Sequence, residues 1–382
     1  MLGEAKFWRA YNYFWMVKFF GAVPIVTEPY ESLDNINVPR NPVEDVYTMI
    51  ITDLEWALDK AGFPDVPYYL NGFKVTKGLV ATLLADVYLQ QAGYPIQSTT
   101  SYQKAANAAR IVINSGVYQL IKHVTLPTQS AYNVMRVTEK TLEYIYSIEY
   151  EPNLKATPKP QYTIPSYARP PGTRYQDMWN CYHPRDEFSR IYDPVKDLRI
   201  QNRQLWHNSI ERGGIKYDFN AWAPYLWYDE DAIFNSGKGG QDFPILRYAK
   251  VLLIAAEAIA QVEGVTNEAV SYLADVRSRA YWQSDENQIK AELQALSKQQ
   301  FIEEVWKERH RELVFDFATW PDIQRTRKYP VTSASNPGIV TFVDLVGATN
   351  PFGATFQEFH LIWPIPLMVM QKNPAMEQNP GY

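Results

Sequence analysis

The sequence is poor in cysteine, in histidine and in long apolar runs, and each shortage excludes a class of protein. A single cysteine, Cys181, rules out internal disulfides and cysteine-rich metal sites. The five histidines are scattered, and none has the spacing of an HExxH zinc site. The most apolar stretch is interrupted by Arg247, Lys250 and Glu257, whereas a bilayer-spanning helix needs about 18 or more consecutive apolar residues.

The chain also lacks a basic surface and the common catalytic motifs. The net charge is −5 and the pI about 5.7, which argues against a nucleic-acid partner. The motifs GxGxxG, GxxxxGK[ST] and GxSxG are absent. The first 20 residues have no cleavable signal peptide and begin inside an amphipathic aromatic helix, so we expect an N-terminal segment to be missing.

Helical hairpins are the main feature that is present. Residues 243–263 are apolar almost all round, which predicts a buried helix, and Gly264 ends it before a second helix that runs to residue 281. Residues 76–93 and 101–115 form a similar alanine-rich pair. Two such hairpins predict a mainly α fold built on tetratricopeptide-like units. The alternative is a set of unrelated helical hairpins.

A further helix is predicted over residues 297–317. Its KERHRE segment, residues 307–312, alternates in charge, and we expect it to lie on a solvated outer face. On this reading His310 is solvated rather than catalytic.

The middle of the chain has a different pattern. One strand is predicted at residues 142–150, and the rest of residues 118–242 is rich in loop-forming residues. So long an irregular stretch in a compact protein is usually functional. We therefore predict three regions, which are a helical N-terminal region (1–117), a loop-rich ligand region (118–242) and a helical C-terminal region (243–382).

Aromatic residues make up 14% of the chain, with 27 Tyr and 11 Trp, and many lie in the loop-rich region. Flat rings stack on the C–H faces of sugars, and neighbouring polar side chains bind the hydroxyl groups. The candidate ligand-binding residues are Trp179, Tyr182, Trp206, Trp222, Tyr225, Trp227, Asn180 and Asp186. The alternative is that these rings pack the loops onto the helical scaffold.

Several segments together resemble the SusD/RagB family of outer-membrane glycan-binding lipoproteins. These segments follow the family's order along the chain and are LGEAKFWRAYNYFWMVKFFGAVPIVTEP, VTKGLVATLLADVYL, FPILRYAKVLLIAAEAIAQVEG with VRSRA, EVWKERHRELVFDFATWPDIQR and LIWPIPLMVMQKNPAMEQNPGY. The resemblance implies an α-α superhelix of tetratricopeptide-like hairpins with a loop-rich second lobe.

The resemblance also implies a function. A member would bind oligosaccharide or polysaccharide at the cell surface without catalysis and pass it to a SusC-like TonB-dependent transporter. It would be attached to the outer membrane by a lipid anchor, which this chain does not contain. No ligand residue carries over from the family position by position, no cofactor is predicted, and the sequence does not decide whether Ca²⁺ orders the loops.

Two other functions remain open from the sequence. A glycoside hydrolase would use Asp186 or Glu187 with a distant carboxylate, because hydrolysis needs two carboxyl groups about 5–10 Å apart. A helical-repeat scaffold that binds only protein would bury the loop aromatics. Neither the identity of the glycan nor the oligomeric state follows from the sequence.

Overall fold

The protein is described by a computed structural model that covers residues 1–29, 31–32, 36–122 and 128–382. The chain divides into two compact units. The first unit contains Met1–Ser115, Thr319–Tyr329 and Val343–Tyr382, and the second contains Gly116–Ala318 and Pro330–Phe342. The predicted boundary after residue 117 lies close to the end of the first segment, whereas the boundary after residue 242 lies within the second unit. The three-region division stays a prediction.

The described residues are mainly helical, as predicted. The helices are α1 Leu2–Phe20, α2 Val43–Lys60, α3 Lys77–Ala92, α4 Ser101–Asn114, α5 Ala131–Val137, α6 Asp186–Ser189, α7 Tyr248–Glu263, α8 Asn267–Ala280, α9 Glu286–Gln294, α10 Lys298–Glu312, α11 Thr319–Thr326 and α12 Leu367–Lys372. Short strands form three two-stranded sheets. The strands are β1 Tyr144–Ile148 with β4 Phe243–Arg247, β2 Trp206–Arg212 with β3 Ile215–Pro224, and β5 Lys328–Thr332 with β6 Val340–Asp344.

In the first unit, helices α1 and α2 pack against each other around Asp53. The buried Asp53 carboxylate accepts hydrogen bonds from Lys6 Nζ at 2.7 Å and from Arg9 Nε at 2.6 Å. Burial opposes ionisation of this carboxyl group, but Arg9 and Lys6 lower its pKa below the ordinary value. The ion pairs therefore fix the register between the two helices.

The α3–α4 hairpin confirms the predicted helical pair. Thr76 caps α3, since its hydroxyl accepts a hydrogen bond from Leu79 N at 3.3 Å. Gly93 follows α3, and a Cβ there would lie only 2.5 Å from the backbone oxygen of Arg325 in α11. Glycine is therefore required for the close approach of these two segments.

The C-terminal segment of the first unit is held against the end of α1. Trp363 N donates to Phe19 O at 2.6 Å, and the two rings stack at 4.4 Å. The side-chain amide of Asn379 donates to Phe20 O at 3.0 Å and to Trp363 O at 2.7 Å. These contacts place residues near the C-terminus beside helices from the first third of the sequence.

In the second unit, α7 and α8 form the other predicted hairpin, with one correction at its start. Residues 243–247 are not helical but form β4, which pairs with β1. Pro244 has no N–H group to donate within a helix. The rest of this segment pairs with β1 as a strand instead. Helix α7 then begins at Tyr248, and Ala249 to Ala260 are buried along its whole circumference, as the apolar sequence predicted.

The carboxylate of Glu312, at the end of α10, lies at the centre of a buried cluster of charges. Its Oε1 accepts from Arg279 at 2.6 Å and from Arg247 at 3.1 Å. Its Oε2 accepts from Arg199 at 3.1 Å and from the Tyr132 hydroxyl at 2.9 Å. Burial would raise the pKa of Glu312, but the three arginines lower it to about 2.

The prediction that KERHRE faces solvent is therefore wrong. Glu308, His310 and Glu312 are all buried. The Glu308 carboxylate accepts hydrogen bonds from Arg199 at 2.7 Å and from Arg277 at 3.0 Å. Buried charges are tolerated only when they are paired, and these partners lie on segments distant in the sequence.

The prediction of loop over residues 206–224 is also wrong, because β2 and β3 form an antiparallel hairpin there. Arg212 pairs with Ile215 across Gly213 and Gly214, whose φ angles are 57° and 77°. A two-residue hairpin turn of this kind needs positive φ at both positions, which glycine adopts freely. By contrast, β1 confirms the strand predicted within residues 142–150.

The β2–β3 hairpin carries a buried histidine, His207. Its Nε2 donates to Thr163 O at 2.6 Å. Its ring lies 5.0 Å from the rings of Phe219 and Tyr225, and 5.8 Å from that of Tyr228. Burial lowers the pKa of His207 to about 3, so the imidazole is neutral in the folded protein at neutral pH.

We expect the substitution Glu312→Gln to lower the free energy of unfolding by about 3–5 kcal/mol, because the arginines would keep their charge and lose a carboxylate. Urea denaturation followed by tryptophan fluorescence measures this. The matched control is Glu303→Gln on the same helix, where the carboxylate accepts a hydrogen bond from Gln299 at 2.9 Å. This control should change stability by less than about 0.5 kcal/mol. Equal midpoints for Glu312→Gln and the wild type would contradict the prediction.

We also expect His207 to make stability fall in acid. The pKa of His207 is lower in the folded chain than the value of about 6.5 in the unfolded chain, so the unfolded chain binds the proton more readily. The contribution is complete above pH ~6.5 and decreases by about 1.4 kcal/mol per pH unit as the pH falls towards the folded pKa.

The measurement is the urea midpoint at several values between pH 7 and pH 5. The midpoint of His207→Gln should fall less steeply with decreasing pH than that of the wild type. Identical slopes for the two proteins would rule out the effect.

Candidate functional site

A chain of aromatic contacts runs from the core of the second unit to its surface. At the buried end, Phe315 lies 4.8 Å from Trp206 and 4.6 Å from Trp227, measured between ring centroids. Trp227 also lies 5.0 Å from Tyr182, whose ring lies 4.9 Å from that of Tyr162. The inner rings are core residues, and the outer rings reach solvent.

The outer end of this chain is the candidate ligand surface, which we call the aromatic ridge and define as Tyr162, Trp179 and Tyr182. Trp179 is 52% exposed and Tyr182 is 42% exposed. The backbone N–H of Trp179 donates to Gln161 O at 2.8 Å, so residues 179–182 follow the short 3₁₀ helix Lys159–Tyr162. The ridge is therefore held on ordered backbone although it lies in an irregular region.

Lys159 anchors the base of the ridge. Its buried Nζ donates to Asp242 O at 2.5 Å and lies 5.2 Å from the ring of Phe243. Burial lowers the pKa of Lys159 to about 7, although the carboxylates of Asp242 and Glu139 oppose the shift. The 3₁₀ helix that carries Tyr162 is thereby tied to strand β4.

Polar groups lie beside the ridge rings. The Oδ1 atom of Asn180 accepts from Ser166 N at 3.1 Å, which fixes the amide while the side chain remains exposed. In the described part of the chain Asn180 Nδ2 makes no hydrogen bond, so it can donate to a ligand. Tyr167 is also exposed, and its hydroxyl accepts from Asn220 N at 3.0 Å. Exposed rings with polar groups beside them suit a ligand that has both apolar faces and hydroxyl groups.

The predicted site residues fall into two groups. Trp179, Tyr182, Asn180 and Asp186 are exposed, and Trp222 is half-buried on β3. Trp206, Tyr225 and Trp227 are only 2%, 6% and 5% exposed. The prediction that these three rings present a face to ligand is therefore corrected.

The reason for the burial differs among the three rings. Trp206 and Trp227 pack on Phe315, and Tyr225 stacks on Tyr228 at 5.2 Å. Trp206 also begins β2 rather than lying in a loop. The scaffold interpretation is correct for these rings and does not describe Trp179 and Tyr182.

Asp186 and Glu187, either of which would act with a distant carboxylate in the hydrolase hypothesis, both lie on α6. Asp186 is exposed and forms an ion pair with Arg190 at 3.7 Å, while Glu187 is exposed on the same four-residue helix. The contacts of the Asp186 side chain stay within its own turn and do not reach the ridge.

Sequence reasoning missed Tyr162 and Tyr167. Both follow prolines in the segment KPQYTIPSYARPP, residues 159–171, and closely spaced prolines with interposed tyrosines were the available signal. No group of three or more His, Cys, Asp or Glu residues in the described ranges could hold a metal ion. Within the same ranges, no helix combines the length and apolarity that crossing a bilayer requires.

Two family models match the chain at its two ends. A model described as SusD family matches residues 216–382, and a model described as starch-binding associating with outer membrane matches residues 1–89. Among curated relatives, SusD-like protein P2 of Formosa agariphila is 26% identical over 99% of this chain and 73% of its own length. SusD-like protein P38 of the same organism is 23% identical over 100% of this chain and 74% of its own.

Solved structures share the fold. A SusD superfamily protein from Parabacteroides distasonis matches with a TM-score of 0.85 and 28% identity over 100% of this chain and 78% of its own. Surface glycan-binding protein A from Bacteroides thetaiotaomicron, solved in complex with laminarihexaose, matches with a TM-score of 0.72 and 19% identity over 99% and 77%. The family models, the relatives and the shared fold all agree with the resemblance of this sequence to the SusD/RagB family.

Proposed function

We propose that this protein binds oligosaccharide or polysaccharide at the cell surface without catalysis and delivers it to a SusC-like TonB-dependent outer-membrane transporter. The aromatic ridge is the binding surface. The rings of Trp179 and Tyr182 stack on sugar faces, and the free amide hydrogens of Asn180 donate to a hydroxyl group.

The observation that carries this proposal is the exposure of Trp179 and Tyr182 on a rigid base. Exposing large rings to water is unfavourable, and an aromatic group that remains exposed while its backbone is fixed is typical of a binding surface. Because the base is ordered by Lys159 and by the contact of Tyr182 with Trp227, little conformational entropy is lost when a ligand binds.

The family relationship supports the ligand class and the location. One matching family model is described as starch-binding and associated with the outer membrane. A structural neighbour was solved with laminarihexaose, a glucose oligomer, which makes glucans the first ligands to test. The delivery step follows from the family resemblance, and co-purification of the protein with a TonB-dependent β-barrel from outer membranes tests it.

The geometry of the carboxylates supports a non-catalytic role. Asp186 and Glu187 are adjacent on an exposed turn, and Asp186 pairs with Arg190. Glycoside hydrolysis needs two carboxyl groups on opposite sides of one sugar, about 5–10 Å apart, and one of them must be held protonated by its surroundings. Asp186 and Glu187 lie on the same turn and do not flank a sugar between them, so either one would need a distant carboxylate as its partner.

We expect Trp179→Ala to weaken glycan binding about tenfold, because the substitution removes a stacking surface worth ~1.4 kcal/mol. Affinity gel electrophoresis against laminarin, starch and a plant polysaccharide panel measures the effect. The matched control is Trp363→Ala, which removes a similarly exposed (50%) tryptophan from the first unit. Retention of full affinity by Trp179→Ala, with loss in Trp363→Ala, would move the glycan site to the first unit.

The single cysteine gives an independent readout of the same surface. Cys181 is exposed and lies between Asn180 and Tyr182, so a bound glycan should slow its alkylation by iodoacetamide. The control protein carries Cys181→Ser with Gln103→Cys on α4, and its alkylation rate should not change with glycan. Equal protection of both positions would show a non-specific effect of the polysaccharide.

The hydrolase alternative predicts turnover, whereas glycan capture predicts none. We expect no sustained release of reducing ends when the protein is incubated with glucans that it binds, because Asp186 and Glu187 lie on one turn and cannot act from opposite sides of a sugar. The double variant Asp186→Asn with Glu187→Gln should bind these glucans as the wild type does. Steady reducing-end release that this variant abolishes would establish the hydrolase instead.

A further inference from the structure

A second concave site lies entirely within the first unit. It is a cavity of about 590 Å³, within the range of about 300–1,000 Å³ that is typical of small-molecule sites. Its walls come from α1, α2, α3 and the segments 357–362 and 379–381. Much of its surface is apolar and comes from Val17, Val43, Pro95, Leu361 and Ile362.

Two buried polar side chains line this cavity without partners. Tyr47 and Gln90 are each 5% exposed. Within the described residues, neither the Tyr47 hydroxyl nor the Gln90 carboxamide makes a hydrogen bond. Neither residue contributes to the fully buried, unpaired side-chain atoms of the described residues, so their polar atoms keep some access to the cavity and are available to hydrogen-bond a ligand there.

The charges around the cavity favour an anion. Lys18, Arg40 and Arg327 line it, and Glu358 is the lining carboxylate, which leaves an excess of two positive charges. Two carboxylates act on lining residues without lining the cavity themselves, Asp86 on Tyr47 and Glu377 on Arg40, so positive charge is in excess only among the residues of the cavity wall. Burial raises the pKa of Tyr47, so its phenol stays protonated and can donate.

We propose that this cavity binds a small molecule with an apolar body and one anionic head group such as a carboxylate. The body lies against Val17, Val43 and Leu361. The head accepts hydrogen bonds from the Tyr47 hydroxyl and the Gln90 amide. A sugar is the wrong class of ligand here, because most of its hydroxyl groups would meet apolar walls and lose their hydrogen bonds to water.

The test is a calorimetric titration of the full chain with 2-naphthoate, and with 2-methylnaphthalene as the probe that lacks the head group. We expect saturable one-to-one binding of 2-naphthoate and weaker binding of the neutral probe. Tyr47→Phe and Gln90→Leu should each weaken 2-naphthoate about tenfold, because each removes a hydrogen bond to a charged group. Val43→Trp fills part of the cavity and should abolish binding.

Two control variants leave the cavity intact. Tyr69→Phe removes a phenol hydroxyl from the first unit outside the cavity, and Trp179→Ala alters the aromatic ridge. Both should bind 2-naphthoate as the wild type does. Thermal denaturation checks the folding of each variant. If Val43→Trp prevents folding, Tyr47→Phe, which removes a single oxygen atom, still tests the site.

The outcomes that overturn the proposal are distinct from those that concern the ridge. Absence of saturable binding of 2-naphthoate, or unchanged affinity in Val43→Trp and Tyr47→Phe, refutes the cavity site. Loss of binding in Trp179→Ala would instead assign the probe to the ridge and would also refute it. Glucan affinity is measured separately, so failure at either site is recognised independently.

Discussion

The second unit depends on keeping the Glu312 carboxylate paired after it has been removed from water. An isolated buried carboxylate would be unfavourable by many kcal/mol. Arg199, Arg247 and Arg279 together provide the opposite charge that the Glu312 carboxylate needs. The net stabilisation is smaller than the number of ion pairs suggests, because desolvation offsets most of the attraction. The cluster instead enforces register, since sliding α8 along α10 would leave a buried charge without its partner.

Residues close in sequence to Glu312 and Arg247 connect the charge cluster to the ligand surface. Phe315 lies three residues after Glu312 and packs on Trp227, which in turn supports Tyr182. Arg247 ends β4 and donates to Glu312, and the same strand begins at Phe243, beside Lys159. The charge cluster and the ridge are therefore parts of one packed structure. Because the cluster is rigid, it holds the residues of the ridge in position before a ligand binds.

The helices could be predicted from the sequence because their signals are local. The apolar periodicity of α3 and α7 and the capping hydroxyl of Thr76 lie within a few residues of one another. The charge cluster could not be predicted, since partners such as Glu143 and Arg279 are 136 residues apart in the sequence. In addition, a charged helix face has the same composition whether its side chains are solvated or form buried ion pairs. The β2–β3 hairpin had a local signal in Gly213-Gly214, which the surrounding loop-forming residues obscured.

The aromatic residues show that composition does not predict which rings are exposed. Trp179 and Trp227 both lie in irregular sequence, yet one is half exposed and the other is buried by Phe315, a residue 88 positions away. Composition predicted a surface rich in rings, and tertiary contacts alone decided which rings reach it. The same reasoning applies in the first unit, where Tyr47 and Gln90 look like ordinary helix residues in the sequence. Only the packing of α2, α3 and the C-terminal segments brings these two side chains together at the wall of one largely apolar cavity, and no local sequence pattern encodes that arrangement.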